Sequence, residues 1–229
     1  MNPSGILYLV ATPIGNLGDI TFRAVEILRH VDFVICEDSR RSGLLLKHLD
    51  IKKPFRTFHE HTSQSKKDSI LEELKEGRNA ALITDAGTPL ISDPGFDLVR
   101  DAVGAGIQVQ SIPGPTAFVS ALILSALPSH AFTFLGYLPQ KEKARRDALK
   151  AATNEERTLI FYESPYRVQK TLKDMLDILG DRNVSISREM TKKFEETIRG
   201  KLSEVIHRLT EKKILGEWVV IVQGKNPDE

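Results

Sequence analysis

Short runs of β-branched and aromatic residues alternate with longer amphipathic stretches nearly from end to end of this chain, the pattern of βα units built around mostly parallel sheets. In the first half the apolar runs predict strands over Ile6–Ala11, Phe33–Glu37, Pro54–His59, Ala80–Thr84 and Ile107–Ile112. The stretches between them predict helices over Thr21–Arg29, Arg41–Leu49, Gln64–Glu76 and Phe96–Ala105. In Gln64–Glu76, Ile70, Leu71 and Leu74 fall on one side, lysines and acids on the other, and Gly77 follows as a C-terminal stop. One further apolar helix, Thr116–Ala126, follows Pro113-Gly114-Pro115 and is broken by Pro128.

The pattern then restarts. Strands are expected at Phe132–Leu135, Thr158–Tyr162, Val184–Arg188, Glu196–Gly200 and Trp218–Gln223, with helices at Lys141–Ala151, Tyr166–Leu179 and Ser203–Lys212. Glu196–Gly200 can pair as a hairpin arm with the strand before it, so the second sheet is expected to be mixed. The fold class is α/β, with two α/β domains, 1–115 and 116–229, joined near residues 113–130 and showing no internal repeat.

Composition narrows the function classes. Of 229 residues, 41% are apolar, enough for real cores, and 32 Lys+Arg stand against 31 Asp+Glu. That balance excludes a wholesale nucleic-acid coat protein and leaves room for a local basic groove. Cys36 is the only cysteine, which removes a disulfide framework and any thiolate-rich metal site; mid-strand, it reads as a small buried hydrophobe. The run Ile6–Ala11 has no cationic stretch before it, and the longest greasy segment, Ala117–Leu127, is interrupted by Ser120 and Ser125 and falls short of the ~20 residues of a membrane span. The expectation is a soluble cytoplasmic protein with no membrane partner.

The unusual residues sit where strands end. Ala11 leads into Thr12-Pro13-Ile14-Gly15-Asn16, Glu37 into Asp38-Ser39-Arg40, His59 into Glu60-His61-Thr62, Thr84 into Asp85-Ala86-Gly87-Thr88-Pro89, and Ile112 into Pro113-Gly114-Pro115-Thr116. Open α/β sheets bind ligands at these carboxyl ends. No G-x-G-x-x-G or P-loop spacing occurs, and the densest loop, Asp85 to Gly95, has no Lys or Arg to neutralise a phosphate. A neutral or cationic ligand with an apolar body suits it better. His59 and His61 share a strand face at period two without an evident third metal ligand. Glu37 and Asp38 form a carboxylate pair at a strand end, where Asp38 can cap a helix or do acid–base work. Two charged clusters follow in the second half: Arg188 to Glu196, and Lys141, Lys143, Arg145 and Arg146 at a helix start, where cations oppose the dipole and favour an anionic partner.

These segments, with Asp19-Ile20-Thr21 and Arg23, Tyr162-Glu163-Ser164-Pro165 with Arg167, and Arg188-Glu189-Met190-Thr191-Lys192, resemble the tetrapyrrole methylase superfamily over essentially the whole chain and in order. Within it the chain is most similar to bacterial enzymes that methylate ribose in small-subunit ribosomal RNA. The resemblance implies a class III methyltransferase architecture, with S-adenosylmethionine in a cleft between two α/β domains and no metal. It implies a homodimer that transfers a methyl group to the 2′-hydroxyl of a cytidine in 16S ribosomal RNA of the small ribosomal subunit. By position it implies cofactor contacts from Pro13, Gly87, Thr88, Ile91, Thr116, Ala117 and Tyr162. The superfamily's Gly-Asp-Pro loop appears here as Gly87-Thr88-Pro89, so Asp85 is the candidate to supply the missing carboxylate. Tyr166 likewise stands where the motif usually has His.

Methyl transfer from a sulfonium is an in-line displacement on an activated carbon, so positioning supplies much of the acceleration. A ribose hydroxyl is a poor nucleophile and calls for a base or an electrostatic helper. The candidates are Glu189 or Asp38 as proton acceptor and Lys192 or Arg188 stabilising a developing alkoxide or gripping phosphate. Asn16, Arg23, Arg40, Arg145 and Arg146 are candidates for RNA binding. Two other readings share the fold: a methyltransferase for a tetrapyrrole-type small molecule, whose acceptor site would hold few cations, and a noncatalytic S-adenosylmethionine-binding protein.

Overall fold

The computed structural model describes residues 4–210 and 214–226. The chain forms two compact units, one ending at Thr116 and the other beginning at Ala117.

The first unit runs β1 (Ile6–Val10), α1 (Phe22–His30), β2 (Phe33–Cys36), α2 (Ser39–His48), β3 (Phe55–Thr57), α3 (Gln64–Lys75), β4 (Ala80–Ile83), α4 (Phe96–Gly104) and β5 (Gln108–Ile112). Its five strands are all parallel in the order β3-β2-β4-β1-β5. Alternate residues feed two cores. Leu7, Phe33, Ile35 and Leu82 meet Ile70, Leu71 and Leu74 of α3 and Leu98 and Ala102 of α4. On the other face Val10, Val34, Cys36 and Ile83 meet Ala24 and Leu28 of α1 and Leu46 of α2. Because both faces are covered, β2 and β4 are apolar at every position, which is why they read as continuous greasy runs. Cys36 is wholly buried, and burial pushes its thiol above the usual range, so it behaves as a core side chain. The neighbours β1 and β4 lead to helices on opposite faces, so their carboxyl ends lie at the switch point of the sheet.

The second unit runs α5 (Ala117–Leu124), β6 (Phe132–Tyr137), α6 (Glu142–Ala151), β7 (Thr158–Glu163), α7 (Val168–Leu179), β8 (Asn183–Arg188), β9 (Glu196–Lys201), α8 (Leu202–Thr210) and β10 (Trp218–Val222). Its sheet order is β6-β7-β10-β8-β9. Only β6 and β7 pair in parallel; β10 runs against both β7 and β8, and β8 and β9 form the expected hairpin. Helices α6, α7 and α8 cover one core, in which Leu149, Leu172, Met175 and Val205 pack on Leu159, Phe161, Ile186 and Val220. The carboxyl ends of β6, β7 and β8 and the amino end of β10 therefore share one edge: Trp218 stands opposite both Glu163 and Arg188, and Tyr137 stands opposite Tyr162.

Several boundaries differ from expectation; the helices expected over Thr116–Ala126 and Tyr166–Leu179 are shorter, Ala117–Leu124 and Val168–Leu179. Helix α2 starts at Ser39 because the Asp38 carboxylate accepts from the Arg40 backbone N–H at 2.9 Å and caps it. Strand β6 runs on to Tyr137 through a register shift between Phe134 and Gly136. Strand β3 is only Phe55–Thr57, so His59 and His61 lie in the following loop and share no strand face. The expected helix to Lys212 is observed to Thr210; residues 211 and 212 lie outside the described residues. No helix among the described residues is long and apolar enough to cross a membrane.

Candidate functional site

In the first unit, parallel pairing brings the loops after all five strands to one edge. The loops after β1 and β4 are tied across the switch point by a reciprocal backbone pair, Thr12 N to Gly87 O at 2.8 Å and Gly87 N to Thr12 O at 3.1 Å. The buried Thr12 hydroxyl reinforces this by donating to the Thr84 carbonyl at 3.0 Å. Gly87 adopts φ 93°, and a Cβ there would press on Ile14 at 3.3 Å, so the loop needs glycine for both conformation and space. Thr88 fastens the β4 loop to the β5 loop: its hydroxyl donates to the Pro115 carbonyl at 3.1 Å and lies 2.7 Å from the Thr116 hydroxyl. Leu90 and Ser92 also have positive φ, at 71° and 63°, so the segment up to Gly95 is an unusually strained loop.

Acids crowd this edge. Asp93 is pushed up to about 6, first by burial and further by the charges of Glu37 and Asp85. Asp85 takes an ion pair from Arg41 at 3.1 Å through Oδ2, while its buried Oδ1 has no hydrogen-bond donor among the described residues. Asp38 behaves oppositely. The Arg40 side chain and backbone amide hold its carboxyl down at about 2, so it stays ionised as a helix cap and is a weak proton acceptor. Arg40 and Arg41 remain largely exposed even though each is paired, and Arg23 is exposed on α1. Asn16 is exposed too, but its Oδ1 accepts from Gly18 N at 3.0 Å to cap a short 3₁₀ turn over Leu17–Asp19.

The edge of the second unit is built from side chains. Glu163, fully buried at the end of β7, accepts from the Thr171 hydroxyl at 2.7 Å and from the Ser164 backbone N–H at 2.8 Å. It also pairs with Arg167 at 2.7 Å, and Arg167 donates to the Leu138 carbonyl at 3.1 Å. This network pins the loop that leaves Tyr166 exposed. At the end of β8, Arg188 pairs with Glu196 at 3.0 Å and lies over the Trp218 ring at 5.5 Å. Lys192 pairs with Glu189 at 3.0 Å within a loop anchored by the buried Met190. Gly216, at φ 73°, packs against the Glu189 carboxylate so closely that any Cβ there would overlap it, and this places Glu217 beside the Tyr137 hydroxyl at 3.0 Å.

The structure thus gathers Pro13, Asp85, Gly87, Thr88, Ile91 and Thr116 at the first edge, and Tyr162, Arg188, Glu189 and Lys192 at the second; Ala117 opens α5. One expectation is corrected. Arg145 is only 2% exposed and forms a buried ion pair with Asp174 at 2.7 Å, so it is a structural counter-ion and does not reach an RNA phosphate. Burial would raise Asp174, yet hydrogen bonds from Arg145 and Arg146 outweigh it and hold the carboxyl low. Arg146, partly exposed, also pairs with Asp177. Sequence reasoning missed Asp93, Tyr137 and Glu217 as members of these edges. The signal was present for Glu217, which directly precedes a strand whose direction the sequence does not reveal. No group of three or more His, Cys, Asp or Glu among the described residues is placed to hold a metal ion.

Residues 6–206 match the model of the tetrapyrrole (corrin/porphyrin) methylases, and the chain belongs to this family. The curated ribosomal RNA small subunit methyltransferase I of Halalkalibacterium halodurans is 50% identical over 220 residues, covering 96% of this chain and 76% of that protein. The protein of the same name from Thermotoga maritima is 48% identical over 221 residues, 96% of this chain and 99% of its own. Among solved structures, a uroporphyrin III C-methyltransferase from Thermus thermophilus superposes with a TM-score of 0.64 at 18% identity, covering 95% of this chain and 97% of that one, which shows the shared fold.

Proposed function

We propose that the protein is an S-adenosylmethionine-dependent methyltransferase acting on the ribose 2′-hydroxyl of a cytidine in 16S ribosomal RNA of the small ribosomal subunit. The observation that carries this reading is a phosphate-poor backbone cradle at the edge of the first unit, and, separately, cations at the edge of the second, in a chain about half identical to named small-subunit RNA methyltransferases. The first edge fits the cofactor's chemistry. Gly87 lets backbone approach closely, and the unpartnered Asp85 Oδ1 seeks a donor or a positive charge. Pro13, Asp85, Gly87, Thr88, Ile91, Thr116, Ala117 and Tyr162 would hold the cofactor, which when bound supplies an electrophilic sulfonium methyl group.

The chain's own work is then to hold the acceptor oxygen in line and manage its proton. Glu189 accepts that proton in preference to Asp38, which is held ionised as a helix cap. Lys192, fixed against Glu189, offers its ammonium to the developing alkoxide. Arg23, Arg40, Arg146 and Asn16 supply phosphate and sugar contacts, and a near-neutral chain has little nonspecific grip, so the assembled subunit is the substrate. Exposed Val119, Ile123, Phe132 and Leu135 in the second unit support self-association as a homodimer. A small-molecule methyltransferase is disfavoured by the cations at Arg188 and Lys192. The test is transfer of a radiolabelled methyl group from S-adenosylmethionine to unmethylated small subunits, followed by mapping of the modified ribose. Labelling is expected on the subunit and to fall steeply with added salt. No labelling of subunits or RNA would overturn the reading.

A further inference from the structure

Beside the charged loops of the second edge lies a pocket of about 550 Å³ that neither cofactor nor proton handling uses. Tyr137, Gln140, Ser164, Tyr166 and Glu217 are among its lining residues. Tyr166 is 96% exposed and Tyr137 about half exposed, so two aromatic rings stand in water on a loop and strand end that are otherwise firmly held. The Glu163–Arg167 pair fixes the backbone on either side of Tyr166, and Tyr137 packs on Tyr162 with ring centroids 5.5 Å apart. A ring exposed on backbone that is already held costs less ordering on receiving a flat partner than one on a loose loop.

The polar groups say which flat partner. Arg167 is committed to Glu163 and to the Leu138 carbonyl, so no free cation of the pocket can take a phosphate. Glu217 accepts from the Tyr137 hydroxyl through Oε2, and none of the described residues donates to its Oε1. A carboxylate acceptor repels phosphate and the carbonyl edge of uracil, and it pairs with an exocyclic amino group such as N4 of cytosine. We infer that this pocket receives a nucleobase of the RNA substrate, stacked on Tyr166 and Tyr137, and that Glu217 selects an amino-bearing base, cytosine, over uracil. The inference rests on the proposed RNA methylation and adds the group that reads the base.

The test uses full-length protein and unmethylated small subunits carrying either cytidine or uridine at the mapped position. Wild-type protein should methylate the cytidine subunit in strong preference. Tyr166→Ala, at a surface position that leaves folding intact, should lower kcat/KM by roughly 5- to 100-fold through lost stacking, with calorimetric affinity for S-adenosylhomocysteine unchanged. Glu217→Gln should erase most of the preference, because an amide can present either a donor or an acceptor. If both variants keep wild-type kinetics and preference, or if they lose affinity for S-adenosylhomocysteine instead, the nucleobase assignment is overturned. Failure of wild-type protein to label any subunit would strike the methylation reading itself, a separate and recognisable outcome.

Discussion

At the edge of the first unit the groups that meet are backbone amides in strained loops and carboxylates pressed together. Asp93, Glu37 and Asp85 share one neighbourhood, and one Asp85 oxygen is left without a donor. At the edge of the second unit each buried or half-buried acid has a cation beside it: Glu163 with Arg167, Glu196 with Arg188, Glu189 with Lys192. The first edge is electrostatically unfinished and the second is balanced before anything binds. An unfinished edge stores a preference for a donor-rich or cationic ligand, whereas a balanced one holds side chains still for chemistry. In the function proposed above, the contrast fits most of the donor contacts at the first edge and the proton handling at the second.

The largest expected effect breaks the balanced edge. Lys192→Ala or Glu189→Gln should lower single-turnover methyl transfer to small subunits by about 10²- to 10⁴-fold, the usual worth of a positioned acid, base or charge, while calorimetric affinity for S-adenosylhomocysteine stays unchanged. Full single-turnover rates in both variants would remove these residues from the chemistry. Next in size is the ion pair behind that edge. Arg145→Ala leaves Asp174 buried beside Arg146 alone and should cost about 3–5 kcal/mol in urea unfolding, with the salt dependence of subunit binding unaltered. A shallower salt dependence would mean that Arg145 touches phosphate after all.

The smallest effect sharpens the picture of the unfinished edge. Asp93 has a folded pKa raised from 3.8 to about 6, so between those values the folded chain binds more protons than the unfolded one. Its contribution to stability is therefore fully present below pH 4 and is lost as pH rises through 6. Asp93→Asn, which keeps the shape and removes the charge, should flatten stability over that window and leave the protein more stable than wild type at pH 8. Chemical denaturation at pH 4, 6 and 8 measures it, and parallel pH profiles for the two proteins would show that Asp93 is not crowded.

Nearly all elements were legible because Gly, Pro and capping residues bound each apolar run, and the loops of the first edge were legible because parallel strands put them on one side automatically. The second edge was only half legible. That Glu217 stands beside Tyr137 depends on β10 inserting backwards between β7 and β8, a pairing that no local pattern encodes. Arg145 read as part of a basic patch because its charge is visible in sequence, whereas its partner Asp174 lies on the next helix and its burial is a tertiary fact. Asp93 was passed over because its raised pKa arises first from burial, a tertiary fact, and then from the charges of Glu37, at the end of another strand, and of Asp85, at the start of its own loop.

The placement of β10 also sets a timetable. The first sheet needs nothing beyond β5, so a nascent chain can complete it while synthesis continues. The second sheet lacks its central strand until Trp218–Val222 has been made, and until then β6 and β7 cannot join β8 and β9. The half of the molecule that would carry the proposed proton handling, at Glu189 and Lys192, is thus the last to exist, and an unfinished chain still attached to its own ribosome has no finished chemistry to apply to one.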